Sequence, residues 1–223
     1  MAHATQEREE DGSAERRSID RMNGFSDAVF AVAITLLVLT IVVPEVSDIG
    51  QLSSELTALW PKFMGFLISF LVIGAFWMEH HAIFGYLRHW APGLLRINLI
   101  LLMFVVLLPF STDLMSEYGN SVIANVFYDI NMVVVALLLS LLWFYASYHK
   151  NLVDESVGPA LRRHLLASNL NTALIFLISI GIAFINISAS KFFYLALIPN
   201  EIVLGRIMRK KQAADEAQEG SPR

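Results

Sequence analysis

The apolar residues of this chain form long blocks separated by short polar clusters, and this layout constrains the fold more than any other feature. Hydrophobic residues make up 56% of the 223 positions, whereas charged residues make up only 16%. Ordinary soluble domains are roughly a quarter charged. An α-helix needs about 20 apolar residues to cross about 30 Å of hydrocarbon, and the blocks match that length. The pattern predicts an all-α membrane protein.

Measured against the bilayer, the apolar blocks predict six transmembrane helices per chain. The predicted spans are Phe25–Val43, Trp60–Trp77, Leu94–Phe110, Val122–Tyr148, His164–Ile187 and Phe192–Ile207. The last span is short and is interrupted by Pro199. Three segments follow from this pattern: a polar tail over residues 1–20, a six-helix unit over 21–207, and a disordered polar tail over 208–223.

The distribution of basic residues predicts how the bundle sits in the membrane. Fourteen of the 16 Lys and Arg residues fall on one side of the predicted spans, and only Lys62 and Lys191 fall on the other. Basic residues near the ends of spans favour the cytoplasmic side. Both termini are therefore expected in the cytoplasm. The N-terminal tail lacks the apolar region of a cleaved signal peptide.

Composition excludes several function classes. The net charge of −4 gives no reason to expect nucleic acid as a partner, and the absence of Cys excludes a thiolate metal site or cysteine nucleophile. No nucleophile–base pair or Gly-rich phosphate loop is present, so we expect no enzyme activity and no cofactor. The histidines do not follow metal-ligand spacing, and no metal site is predicted. They include His80, His81, His89, His149 and His164.

Asp27 stands out because it lies inside the first apolar block. A carboxylate at membrane depth is costly and is normally kept with a partner or a water-filled cavity. Arg21 is six residues earlier, a spacing that does not form a pair on one helix. A partner on another helix is one interpretation, with His80 and His81 at matching depth. The other is that Ser26 and Asp27 cap the helix N-terminus, and the two are compatible.

The same block carries an aliphatic stripe. Val32, Leu36 and Leu39 are spaced four and three residues apart and fall on one helical face. By hydropathy alone, such a stripe in a membrane helix more often faces lipid or packs in the core than lines a pore.

A resemblance changes that expectation. The string Arg-x-x-x-Phe-Ser-Asp at residues 21–27, continued by Ala-Val-Phe-Ala-Val-Ala-Ile-Thr, resembles the hallmark of the transmembrane protein 175 family, the lysosomal potassium channel and its prokaryotic relatives. Supporting similarity extends over roughly residues 18–207. Bacterial members have one six-helix unit per chain and form tetramers. The resemblance implies a homotetramer in a prokaryotic cell membrane, with helix 1 lining a central pore and K⁺ as the permeant ion.

Residue roles also follow from the resemblance. The family places large aliphatic side chains five, nine and twelve residues after the Asp, which implies a pore constriction of Val32, Leu36 and Leu39. Val32 stands where Ile is usual, and Thr35 matches a threonine tied to potassium preference. The motif residues Arg21, Phe25, Ser26 and Asp27 would anchor helix 1, with Trp77, His80 or His81 as partners. The implied function is a potassium-selective or weakly selective cation channel with a hydrophobic constriction.

Two other functions are open at this stage. A proton- or cation-coupled secondary transporter could use Asn125, Asp129 and Asn131 in the fourth span, although hydrogen bonds between helices explain these residues as well. An inert membrane scaffold is the second. The sequence has neither the Thr-Val-Gly-Tyr-Gly filter of familiar potassium channels nor an Arg-rich voltage sensor.

Overall fold

The computed structural model describes residues 2–149, 152–154 and 157–194. Within them the fold is helical, as the composition predicts, and the long elements follow one another in an up-and-down bundle. The helices are α1 (Ala2–Leu36), α2 (Leu52–Ala58), α3 (Trp60–Gly85), α4 (Pro92–Glu117), α5 (Val122–Tyr148), α6 (Pro159–Ala183) and α7 (Ile187–Phe193). Short 3₁₀ turns cover Leu37–Thr40 and Ile49–Gln51.

Five helices of the described part of the chain are long and apolar enough to cross a membrane. They are Ser13–Thr40, Trp60–Gly85, Pro92–Glu117, Val122–Tyr148 and Pro159–Ala183. The fourth matches its predicted span at both ends. The sixth predicted span, Phe192–Ile207, lies almost wholly outside the described residues. Proline lies in the first turn of three of these helices, where its missing N–H group costs no intrahelical hydrogen bond.

The other predicted spans are approximate stretches of apolar sequence, and the helices do not begin and end with them. Helix α1 continues through the polar segment before Phe25, and α3 continues eight residues past Trp77 to Gly85. Helix α6 begins at Pro159, five residues before the predicted His164, and ends at Ala183, before Ile187. Hydropathy marks the part of a helix that lies in lipid, while the helix itself extends into polar surroundings.

Helix α5 lies at the centre of the bundle. It packs most extensively against α4 and α6, while α1 packs against α3 and α4. Tyr128, Met132, Leu139, Leu142 and Trp143 of α5 are fully buried. The indole N–H of Trp143 donates to the Arg162 carbonyl at 2.8 Å, which satisfies a polar group in an apolar core.

One end of the bundle, the basic end, carries the α3–α4 and α5–α6 connections. An isolated β-bridge between Leu87 and Val153 joins these two connections. Beside it, Arg88 Nε donates to Asp154 Oδ2 at 2.5 Å. The N-terminal part of α1 packs here, because Ile19 and Met22 are buried and His89 Nδ1 lies 2.6 Å from Glu15 Oε2. The basic end is thus tied together by backbone and charge contacts.

Candidate functional site

Helix α1 has a buried face made of residues three or four positions apart. Met22, Ser26, Phe30, Ala33 and Leu37 lie on this face, and Ser26, Phe30 and Leu37 have no solvent-accessible surface. This spacing matches the α-helical repeat and keeps one stripe against α3 and α4. The helix is therefore held in one rotation about its axis.

The opposite side of α1 carries the aliphatic stripe and points away from the rest of the chain. Val32 is 54% exposed, Leu36 38% and Leu39 69%. The α-helix ends at Leu36 and a 3₁₀ turn follows over Leu37–Thr40. Residues three apart eclipse each other in a 3₁₀ helix, so the side chains of Leu36 and Leu39 lie almost directly above one another along the helix. This face of α1 is available for contact with lipid or with other copies of the chain.

Thr35 lies beside the stripe and is also exposed. Its hydroxyl donates to the Val32 carbonyl of the same helix at 2.9 Å. Because the hydroxyl hydrogen is used on the backbone, the lone pairs of Thr35 Oγ1 are directed outward. Thr35 can thus offer an acceptor oxygen to an ion or a water molecule on the exposed side of α1.

Asp27 is held at the edge of the α1–α3 contact. Trp77 Nε1 donates to Asp27 Oδ1 at 2.9 Å, and Asn23 Nδ2 donates to Asp27 Oδ2 at 3.3 Å. His81 Nδ1 lies 4.0 Å from Asp27 Oδ1, close enough for an ion pair when the imidazole is protonated. The Trp77 and His81 rings are 5.7 Å apart. One carboxylate therefore joins α1 to two side chains of α3.

Ser26 makes a second connection, through a fully buried relay across three helices. Asn98 Nδ2 of α4 donates to Ser26 Oγ at 2.8 Å, and Asn98 Oδ1 lies 2.9 Å from His80 Nε2 of α3. Ser26 Oγ in turn donates to the Met22 carbonyl at 2.9 Å. Because the Asn98 oxygen accepts, His80 carries its proton on Nε2, and its Nδ1 has no hydrogen-bond partner among the residues that the structure describes.

The structure does not bring every residue of the predicted helix 1 anchor and its predicted partners to Asp27. Arg21 is exposed, and among the described residues its side chain makes no ion pair with Asp27. Six residues correspond to a rotation of about 240°, so the two side chains lie on different sides of the helix. His80 contacts Asn98 rather than Asp27. Phe25 is 55% exposed and lies outside the buried face.

Asn98 is the residue of this cluster that sequence reasoning missed. It lies in the third apolar block, and an amide inside a membrane helix is itself a signal for an interhelical hydrogen bond. As for metal binding, no three His, Asp or Glu side chains of the described segments come together in a way that could hold an ion.

Comparison with known proteins gives a consistent result. The family model described as endosomal/lysosomal potassium channel TMEM175 matches residues 21–109. A protein named potassium channel from Streptomyces collinus is 37% identical over 171 residues, covering 74% of this chain and 82% of that protein. One from Chamaesiphon minutus is 34% identical over 196 residues, covering 77% of this chain and 92% of that protein.

A solved structure is similar over most of its length. The crystal structure of a lysosomal potassium-selective channel TMEM175 homologue from Chamaesiphon minutus superposes with a TM-score of 0.74 at 28% sequence identity. The match covers 84% of this chain and 98% of that chain. The bundle described above is therefore the fold of that homologue.

Proposed function

Because this chain belongs to the TMEM175 family, a family of ion channels and not of enzymes, we propose that it conducts potassium ions across a membrane. It is a multi-pass membrane protein with apolar helices of spanning length. Two bacterial relatives that cover most of this chain are named potassium channels, and this supports K⁺ as the permeant ion.

The pore in this proposal is lined by four copies of α1. The observation that carries it is the division of α1 into an anchored face and an exposed aliphatic face. Ser26 and Asp27 bind the helix to α3 and α4, while Val32, Leu36 and Leu39 point away from the bundle. A single helix encloses no channel, so a homotetramer is needed to bring four such faces to a common axis.

Conduction through such a ring depends on water. An apolar constriction loses its water when it is narrow, and the ion then faces a large desolvation penalty. When the ring widens it fills with water, and a hydrated or partly dehydrated ion passes. The four Thr35 hydroxyls, one turn from Val32, offer acceptor oxygens beside the constriction and favour potassium in this mechanism. Selectivity from these elements is modest, because no ring of backbone carbonyls replaces the hydration shell.

The proposal also includes the division of the chain into segments and their position relative to the membrane. Residues 1–20 form a cytoplasmic tail, residues 21–207 a six-helix channel unit and residues 208–223 a second cytoplasmic tail. The excess of Lys and Arg at the basic end supports this orientation. The bacterial sources of the relatives support the cell membrane of a prokaryote. Partners are three further copies of the chain and the surrounding lipid.

Cysteine substitution tests the pore face, because the chain has no native Cys. Leu36→Cys on the pore axis is expected to form disulfide-linked dimers under mild oxidation, and soluble thiol reagents are expected to block flux. The matched control is Leu177→Cys on α6, a leucine that is 51% exposed. It is expected to show neither effect. Equal cross-linking at both positions, or none at Leu36→Cys in an active protein, contradicts the assignment of α1 to the pore.

Ion flux from liposomes tests conduction itself. Purified protein is expected to release K⁺ passively down its gradient, with a rate that keeps rising as the K⁺ concentration increases. A rate that requires an opposing proton gradient indicates the coupled transporter instead. Liposomes that release no K⁺ indicate a scaffold.

A further inference from the structure

Asp129 is a fully buried acid in the first third of α5, away from α1. It lies on α5, seven residues from the helix start, which corresponds to about 10 Å along the axis. Its exposed fraction is zero. A carboxylate at this depth is costly unless a cation or several hydrogen-bond donors compensate its charge.

The hydroxyl groups beside Asp129 also contact other acceptors. Within the described part of the chain, neither carboxyl oxygen has a hydrogen-bond partner by distance and angle. The hydroxyls of Ser179 on α6 and Tyr194 after α7 face the carboxyl. Ser179 Oγ, however, donates to the Ser190 carbonyl at 3.4 Å, and Tyr194 Oη lies 4.0 Å from Met115 Sδ. The two hydroxyls that face the carboxyl are thus shared with other acceptors, whereas a buried ionised carboxylate requires several dedicated donors or a cation.

The surroundings of Asp129 also favour a proton over a metal cation. Tyr128, Phe176 and Tyr194 form an aromatic cluster beside it, with ring centroids 5.6 to 6.4 Å apart. A metal cation needs a shell of several oxygen ligands, whereas this packing offers two hydroxyls and aromatic rings beside the carboxyl. A proton compensates the charge of a carboxylate without occupying space.

We propose that Asp129 is a proton-binding site, whose carboxyl is neutral in the packed bundle and releases its proton only when α5, α6 and the α7 region separate around it. The titratable groups facing it are the phenols of Tyr128 and Tyr194. The ammonium of Lys191 on α7 donates to the Gly119 carbonyl at 2.8 Å and makes no ion pair with Asp129 among the described residues. The site is on α5, so the proposal is independent of the pore assignment.

Infrared spectroscopy of the full-length protein in a detergent without ester groups tests the protonation state, because lipid ester carbonyls absorb in the same region as a protonated carboxylic acid. At neutral pH the wild type is expected to show the C=O stretching band of a protonated carboxylic acid, and Asp129→Asn is expected to lack it. The matched control is Asp113→Asn, a partly exposed acid at the outer part of α4. It is expected to keep the band. A wild type without the band, or an Asp129→Asn variant that retains it, overturns the proposal.

Thermal unfolding as a function of pH gives a second measurement. The pH dependence of the wild type tests the proposal even where the variant folds poorly. Ionisation would leave an uncompensated buried charge, so wild-type stability is expected to fall as pH rises from mildly acidic to mildly alkaline. Asp129→Asn, which keeps the shape of the neutral acid, is expected to show a flatter profile. Replacing choline chloride with KCl is expected to leave the melting temperatures of the wild type and of Asp129→Asn unchanged. Stabilisation by KCl that Asp129→Asn removes would identify a cation site and overturn the proposal.

Discussion

The indole of Trp77 donates its N–H to Asp27 Oδ1 across 2.9 Å and joins two helices at positions fifty residues apart in the chain. Together with the buried face of α1, the contact holds the rotation of this helix, because a shift of one residue turns a helix by about 100°. Such a turn would carry the Val32, Leu36 and Leu39 face away from its present direction. The direction of the proposed pore face thus depends on an interaction outside it.

We expect Asp27→Ala to lower both the yield of tetramer and potassium flux in liposomes. The change removes the acceptor for Trp77 Nε1 and the charge that His81 can pair with. Trp77 is 38% exposed, so the loss of this hydrogen bond is expected to cost about 0.5–1.5 kcal/mol rather than the larger penalty of a buried unpaired group. Size-exclusion chromatography and a potassium-flux assay on the same preparation measure the two effects.

Phe25→Ala is the matched control for that experiment. Phe25 belongs to the same motif but is 55% exposed and lies outside the buried face of α1. Its replacement is expected to leave the fold of the protomer intact. If Asp27→Ala preserves tetramer yield and flux, Asp27 does not anchor α1.

Asn98→Ala is expected to destabilise the protein by about 2–4 kcal/mol, since it breaks two buried hydrogen bonds at once. His80 Nε2 then lacks an acceptor, while Ser26 still donates to the Met22 carbonyl. Thermal unfolding of the purified protein measures the loss. Asn120→Ala, in an exposed turn, serves as the control and is expected to unfold like the wild type. Equal melting temperatures for both variants would show that the relay contributes no stability.

The sequence contains enough information for the membrane-spanning helices but not for the contacts between them. The bounds of α5 follow from hydropathy because polar residues flank its apolar block on both sides. Those of α3 do not, since His80 and His81 look like the end of the span. His80 is nevertheless fully buried, because Asn98 on another helix accepts a hydrogen bond from its Nε2–H.

The candidate site, like the fold, could be predicted from the sequence only in part. The cost of a carboxylate in an apolar block predicts that Asp27 needs a partner on another helix, and the structure brings Trp77 to it. Choosing between Trp77, His80 and His81 requires the rotation of α3 relative to α1, which depends on side-chain packing along both helices. The roles of Val32, Leu36, Leu39 and Thr35 rest on resemblance and stay predictions.

Two glycines of α3 are expected to respond in opposite directions to substitution by alanine. A Cβ at Gly65 would lie 2.1 Å from Ser116 Oγ of α4, whereas a Cβ at Gly74 would meet no atom within 4 Å. Gly65→Ala is expected to destabilise by about 1–3 kcal/mol through overpacking. Gly74→Ala is expected to be neutral or stabilising by up to about 1 kcal/mol.

Thermal unfolding of the two glycine variants side by side provides the measurement. The double variant Gly65→Ala with Ser116→Gly removes the clashing hydroxyl and is expected to regain much of the lost stability. If Gly65→Ala melts at the wild-type temperature, the close approach of α3 and α4 at this point is incorrect.

Leu36→Ala is expected to increase resting potassium flux without reducing the tetramer yield. The change removes three carbon atoms per subunit from the proposed constriction and leaves the buried face of α1 untouched, because Leu36 is 38% exposed. A wider ring holds water more readily and lowers the barrier to the ion. Flux measured on size-selected tetramer separates gating from assembly. Loss of tetramer with this variant would indicate that Leu36 packs between subunits instead of lining the pore.

Val32 allows the constriction to be changed in both directions. Val32→Ile adds one methylene per subunit, and Val32→Ala removes two carbon atoms per subunit. Val32 is 54% exposed, so neither change disturbs the protomer core. If this position narrows the pore, potassium flux is expected to fall with Ile and rise with Ala relative to the wild type. If both variants conduct like the wild type while Leu36→Ala does not, the constriction begins at Leu36 and Val32 lies in a wider part of the pore.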